Sequence, residues 1–473
     1  MPTDPRGLRG DAPLLDAWLR FHDAAPTPFT IPGHKQRHDL VGDVVAGDVP
    51  LYAGLDTMKL SRGVVAEAEA QAAHLWGADL CRFSVGGSTH GNQALALAVG
   101  RPGDRVVVAR TLHRSMLLGL VLAGLEPVWV RPEVDPTHGL PLGVTATALE
   151  AALATAPDAK AVFIGDPSYV GTVGDVRALA TVAHRHGIPL VVDAAWGAHL
   201  GFHPRLPPHA LQAGADALVT SAHKALPAWS QGALVLARTG RIGRAQFDAG
   251  IEATATTSPS GAILASIDAA RALLQRDGEA LLGPVIDAVA TARARLAMVP
   301  GLTVLDGPTV DPTRLVLVLP GTGADGNAVE ADLLARGMPV EMADRDTIVA
   351  MVTMADRADV IEELAVALAE SIRTRRATPR PVVVSGVWAV DPVTVLSPRD
   401  AYFAQRESVP VERAVGRVSA ELVAPYPPGI PVLAPGEEVT LDVVEALRGA
   451  RAAGSRIAYA ADPTLKTVDV VIE

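Results

Sequence analysis

The side chains with the most chemical potential lie where short apolar runs end. The run Ala217 to Thr220 leads directly into Ser221-Ala222-His223-Lys224, which puts an amine and two hydrogen-bonding groups at the carboxyl end of an expected strand. A lysine in a partly desolvated pocket has a lowered pKa and can condense with an aldehyde as a Schiff base. A lysine after a strand can equally be a solvated surface group. Upstream, Ile188 to Val192 reads as a buried strand ending in Asp193. A carboxylate among apolar neighbours needs a cationic or hydrogen-bonding partner. A protonated pyridine nitrogen is one such partner, and capping of the next helix is the plainer role.

Two further features share this placement. Gly86-Gly87-Ser88-Thr89 follows the short run Arg82 to Val85 and opens a helical run from about His90 to Ala98. Small residues let the backbone approach a phosphate, whose charge is then stabilised by free N–H groups, the helix dipole and the two hydroxyls. A tight loop without a ligand would look the same. His113 comes just beyond Arg105 to Ala109, where an imidazole can stack on a ring or serve only its loop. Each feature is ambiguous alone. Together, in this order and all at strand ends, they fit a phosphorylated, ring-bearing aldehyde cofactor better than four unrelated accidents.

The elements that must position these groups are legible in the same stretch. From about Asp79 to Leu236, Val- and Ile-rich runs at Arg105 to Ala109, Pro127 to Val130, Ala161 to Ile164, Pro189 to Val192, Ala217 to Thr220 and Ala233 to Ala237 alternate with Ala- and Leu-rich helical stretches. This predicts an α/β domain with a mainly parallel sheet covered by helices, functional groups gathering at the strands' carboxyl ends. A long helical segment from about Arg271 leads into Thr303 to Leu305, Leu315 to Leu319, a helix near Asn327 to Arg336, Ile348 to Val352 and a helix near Arg357 to Ile372, a smaller α+β unit. The Arg- and Pro-rich stretch Arg373 to Pro381 reads as a linker. The expected division is an arm over 1–45, a large domain over 46–270, a small α+β domain over 271–376 and a carboxyl-terminal domain over 377–473.

Composition narrows the class. The 473 residues are 49% hydrophobic, 20% charged and only 4% aromatic, so Ala, Val and Leu do most of the packing. A net charge of −11 argues against a nucleic-acid or anionic-membrane surface and suits a cationic small substrate. Cys81 is the one cysteine, which rules out an intrachain disulfide or a cysteine-built zinc site and fits a reducing cytoplasm; no metal is expected. Met1 to Gly10 carries Asp4, Arg6 and Arg9 without a following apolar core, unlike a signal peptide, and apolar runs stop far short of a membrane span.

With these motifs in view, most of the chain resembles the bacterial ornithine/lysine/arginine decarboxylases of fold type I, the aspartate-aminotransferase-like architecture. The resemblance is carried by Pro32-Gly33-His34-Lys35, Gly87-Ser88-Thr89, His113-Arg114-Ser115, Pro167-Ser168-Tyr169-Val170-Gly171 and Asp193-Ala194-Ala195-Trp196-Gly197-Ala198-His199-Leu200. It continues through Ser221-Ala222-His223-Lys224-Ala225-Leu226 with Ser230-Gln231, and Pro425-Tyr426-Pro427-Pro428-Gly429-Ile430-Pro431 with Pro435-Gly436-Glu437. The last motif sets this family apart from ordinary aminotransferases.

The resemblance implies a pyridoxal 5′-phosphate enzyme that decarboxylates a basic amino acid, arginine first and then lysine or ornithine, to a polyamine precursor. It implies that Lys224 forms the Schiff base, Asp193 pairs with the ring nitrogen, His113 stacks on one ring face and Ala195 packs on the other. Ser88, Thr89, Ser221 and His223 would hold the phosphate beside Gly87; His223 would also protonate the substrate Cα, or else serve the phosphate alone. Trp196 stands where many relatives carry His and can still pack beside the cofactor, while Leu55 to Leu60 departs from the relatives' Asp-x-Leu-His-x-Pro pattern. The early position of Pro32-Gly33-His34-Lys35 implies the short form without an amino-terminal wing domain, assembled as a homodimer or dimer of dimers with a shared active site. Asp56, Glu421 and Glu437 are candidates for the substrate's distal cation. The other readings are an aminotransferase or lyase acting on another amino acid, and an inactive regulatory homologue.

Overall fold

The structure is a computed structural model that describes residues 3–24, 29–49, 55–56, 63–382, 386–426 and 429–472. Thr57 to Leu60, within the departing segment, and Pro427 and Pro428 of the carboxyl-terminal motif lie outside the described residues.

Nine strands build the large unit: β1 (Leu80–Ser84), β2 (Arg105–Ala109), β3 (Glu126–Val130), a hairpin of β4 (Glu133–Asp135) and β5 (Leu140–Gly143), β6 (Val162–Gly165), β7 (Leu190–Asp193), β8 (Ala217–Ser221) and β9 (Ala233–Ala237). Seven form one sheet in the order β1-β9-β8-β7-β6-β2-β3. Strands β3, β2, β6, β7 and β8 are parallel, and β9 alone runs against its neighbours. Helices cover both faces, so the inner strands are buried throughout; β7, β8 and β9 have no exposed position. That double burial is why they read as continuous apolar runs. The carboxyl ends of the parallel strands necessarily share one edge, and β9 begins from it.

Helix Gly87–Val99 lies flat on this sheet. A Cβ on Gly91 would come within 2.6 Å of Val219 and 2.8 Å of Val235, so only glycine permits the approach that brings the helix start to the strand ends.

The 37-residue helix Gly261–Ala297 then links two cores. Leu264, Ile267 and Leu274 pack on the large sheet, whereas Val289, Ala292 and Leu296 pack on a second, antiparallel sheet. That sheet comprises β10 (Thr303–Val304), β11 (Arg314–Val318), β12 (Met342–Ala343) and β13 (Thr347–Met351) in the order β10-β11-β13-β12.

The carboxyl-terminal residues form a third core around Val409, Leu433, Val443, Leu447 and Val470. An ion pair fastens it to the large sheet: Arg110, just after β2, donates to both oxygens of Glu437, to Oε2 at 2.8 Å, and to the Val432 carbonyl at 2.8 Å. Glu437 also accepts the Ala434 N–H at 2.7 Å, and its side chain is 1% exposed. Removing one partner leaves the other charge buried and unpaired, which costs about 3–5 kcal/mol. Glu437→Ala is therefore expected to lower stability in chemical denaturation by about that amount, and a change near zero would mean that this ion pair does not hold the third unit in place. Among the described residues, no helix is long and apolar enough to cross a membrane.

Candidate active site

The shared strand edge opens on a cavity of about 590 Å³. The sequence-predicted residues Gly87, Ser88, Thr89, His113, Asp193, Ala195, Trp196, Ser221, His223 and Lys224 all line it. They come from four strand ends, brought together because β1, β2, β7 and β8 point the same way. Small-domain Glu341 and carboxyl-terminal Tyr426 and Ile430 form further wall. The Pro32-Gly33-His34-Lys35 turn is not part of the lining.

Lys224 sits in the single turn Ala222–Ala225 after β8, its Nζ 3.6 Å from the centroid of the Trp196 ring. Burial pushes its ammonium below the ordinary lysine range; Asp193 and Glu341 oppose that fall and Arg314 adds to it. Arg314 is 2% exposed, and its guanidinium lies 5.2 Å from the same indole, with Nε and Nη1 making no hydrogen bond among the described residues.

Asp193 ends β7 and is 8% exposed. It accepts the Asn92 amide Nδ2–H at 2.7 Å and the Ala195 N–H at 3.2 Å. The same Asn92 Nδ2 donates to Ser115 Oγ at 2.9 Å, and the Ser115 hydroxyl lies 2.9 Å from His113 Nδ1, which also receives the Ser115 N–H at 3.2 Å. Nδ1 is thus an acceptor, which assigns the ring proton to Nε2. Burial lowers the pKa of His113, against the pull of Asp193, and so favours a neutral, stackable imidazole near neutral pH.

At the other end of the cavity, the Ser88 and Ser221 hydroxyl oxygens stand 2.7 Å apart beside the start of helix Gly87–Val99. Gly87 has φ +67°, a conformation that suits glycine, and its N–H is held by the Gln231 carbonyl at 2.8 Å. His223 Nδ1 lies 2.9 Å from the Gly232 carbonyl; since a carbonyl only accepts, Nδ1 carries the proton and Nε2 is left open.

These residues fit pyridoxal phosphate. Asp193 is a buried carboxylate held by neutral donors, with no cationic side chain in ion-pair contact among the described residues, as a ring cation would require. Paired hydroxyls at a helix start suit a phosphate, and the amine with a lowered pKa suits an aldehyde.

Sequence reasoning missed Asn92, which is fully buried. Its signal was available: it lies four residues after Ser88 in the same helix, and that spacing shares a face. Glu341 had no local signal, because only packing of the small sheet against the large one brings it here. The three carboxylates proposed for the distal cation lie elsewhere. Glu437 is bound by Arg110, Glu421 accepts the N–H groups of Ala461 and Asp469 at 2.6 and 2.9 Å, and Asp56 accepts those of Gly63 and Val65 at 3.2 and 3.4 Å. Each is used by its own local backbone or ion pair.

A mainly parallel sheet with this set of groups at its carboxyl edge places the chain in fold type I, the aspartate-aminotransferase-like class of pyridoxal-phosphate enzymes. The description "Orn/Lys/Arg decarboxylase, major domain" matches residues 12–306, and the carboxyl-terminal domain of the same family matches 383–456. The chain belongs to the Orn/Lys/Arg decarboxylase family. The arginine decarboxylase of Bacillus anthracis is 32% identical over 98% of both chains, and that of Bacillus subtilis is 30% identical with the same coverage. The solved lysine decarboxylase A of Pseudomonas aeruginosa superposes with a TM-score of 0.82 at 21% identity, over 98% of this chain and 81% of that one, and so shares the fold.

Proposed function

We propose that this protein binds pyridoxal 5′-phosphate through Lys224 and decarboxylates a basic amino acid, arginine ahead of lysine or ornithine, releasing carbon dioxide and a polyamine precursor. The observation that carries this reading is the convergence of Lys224, Asp193, His113 and the Ser88–Ser221 hydroxyl pair on one cavity. Arginine is placed first because the full-length relatives cited above carry that name.

Pyridoxal phosphate, when bound, supplies a conjugated cationic ring that accepts the electron pair left as the substrate carboxylate departs. The chain's own residues set this up. Asp193, fixed by Asn92 and the Ala195 N–H, keeps a negative charge where the ring nitrogen needs one. Ser88, Thr89 and Ser221, at the positive end of helix Gly87–Val99, would hold the phosphate. His113 and Ala195 would bound the ring faces, and Trp196 shields the Lys224 amine from water. Lys224 would hold the cofactor through its amine, whose lowered pKa favours condensation with an aldehyde. His223, with Nδ1 fixed by Gly232, can carry a proton on Nε2 and deliver it to the substrate Cα after carbon dioxide leaves.

We further read the chain as an arm, large, small and carboxyl-terminal domains divided near 45, 270 and 376, working as a homodimer or dimer of dimers in the cytoplasm. The deciding experiment is carbon dioxide release from arginine, lysine and ornithine by purified protein with added cofactor. Release from none of the three would sink the reading; amine transfer dependent on a keto acid would replace it with an aminotransferase.

A further inference from the structure

We propose that Arg314 is a positioning residue that acts through Lys224: its guanidinium, buried without a partner beside Trp196, offsets the two cavity carboxylates and so lets the Lys224 nitrogen shed its proton. This rests on the reading of Lys224 above as the point of cofactor attachment. Burying a cation is expensive unless it is paired and hydrogen-bonded. Arg314 is neither: among the described residues its side chain makes no hydrogen bond or ion pair, and its Nε and Nη1 are sealed from solvent. Asp311, the carboxylate whose charge acts on it most strongly, is committed elsewhere. Its Oδ1 accepts the N–H and the hydroxyl of Thr313 at 2.9 and 2.8 Å, and His199 Nε2 lies 3.0 Å from its Oδ2. A cation left in this state does not serve the fold, which points to a use at the site.

The surrounding chain holds that charge in place. Arg314 opens β11, its carbonyl accepts the Arg293 guanidinium at 2.6 Å, and its stem runs against Gly171, where a Cβ would come within 2.7 Å of the Arg314 Cγ. Lys224 Nζ and the Arg314 guanidinium lie 3.6 and 5.2 Å from the same indole centroid. They cannot be farther apart than those two lengths end to end, so the two cations repel appreciably in a low-dielectric interior. The indole itself carries no charge. The other titratable groups lining the cavity are Asp193, Glu341, His113, His223, Tyr169 and Tyr426. Asp193 and Glu341 favour a protonated nitrogen on Lys224, whereas burial and Arg314 disfavour it. A guanidinium supplies its opposing charge at every working pH.

The test follows the visible absorbance of the cofactor-loaded protein against pH in wild type, Arg314→Met, Arg314→Gln and Arg314→Lys. Removing the cation removes a repulsion, so the titration midpoint of the Lys224 nitrogen should rise by about one pH unit in the Met and Gln variants, the scale of one nearby charge. It should return close to the wild-type value in Arg314→Lys. The denaturation midpoints of the neutral variants should stay level or rise, because an unpaired buried charge has gone. An unmoved absorbance midpoint overturns the inference, and so does an equal shift in Arg314→Lys, which would trace the effect to shape. A raised arginine KM with an unmoved midpoint also overturns it and gives Arg314 to the substrate instead. If neither neutral variant folds, the charge serves the fold and the inference falls. Failure of the cofactor reading looks different: wild type then shows no visible absorbance with added cofactor.

Discussion

Lys224→Ala is expected to abolish the visible absorbance of the cofactor-loaded protein and to lower kcat/KM by roughly 10⁴-fold or more, the scale of removing a member of a covalent catalytic unit. The reason lies in what surrounds the amine. Burial lowers its pKa and the Trp196 face lies 3.6 Å away, so the neutral, condensing form is more available than on a surface lysine. Lys224→Arg provides the control. It keeps a cation over Trp196 and beside Asp193, but a guanidinium stays protonated and cannot condense. Both variants should lose the absorbance while keeping the far-ultraviolet dichroism of the wild type. If Lys224→Arg retained the spectrum, another amine would be the attachment point and the assignment of Lys224 would fall.

Asp193→Asn is expected to separate binding from chemistry. The amide preserves the shape of the side chain, and its oxygen can still accept from Asn92 or from the Ala195 N–H. The negative charge is gone. Fixed charge aimed at a developing one contributes about 10²- to 10³-fold to rate, so kcat should fall on that scale. Visible absorbance should persist, because Lys224, Ser88 and Ser221 are untouched. The sign of a second effect is set as well. Asp193 raises the pKa of Lys224, so its loss should move that lysine's titration midpoint to lower pH. A variant with near-normal kcat and an unmoved midpoint would show that Asp193 only buttresses Asn92 and the Ser115–His113 contacts.

How much of this could be read without coordinates depended on the range of the interactions involved. Strands β2, β6, β7, β8 and β9 were legible because burial on both faces demands unbroken apolar runs, and the ends of those runs named Asp193, Lys224 and His113. The Gly87-Ser88-Thr89 turn was legible as a helix start, and as a phosphate site only in conjunction with the groups at the other strand ends. Asn92 escaped although its spacing from Ser88 marks it, since an asparagine in a helix says nothing of a carboxylate on a strand far along the chain.

By itself the sequence determined the strand and helix pattern, the family and the identity of the groups at the strand ends. These depend on local periodicity and on residue types that only a few chemistries use. Tertiary structure decided the rest. It assigned Glu437 to Arg110, Glu421 and Asp56 to nearby backbone, and Glu341 to the cavity, because whether a carboxylate is free depends on what other segments bring within hydrogen-bond reach of it. It also placed Trp196 3.6 Å from the Lys224 amine and 5.2 Å from the buried Arg314 guanidinium, contacts that exist only because the turn after β7, the turn after β8 and the start of β11 meet in space.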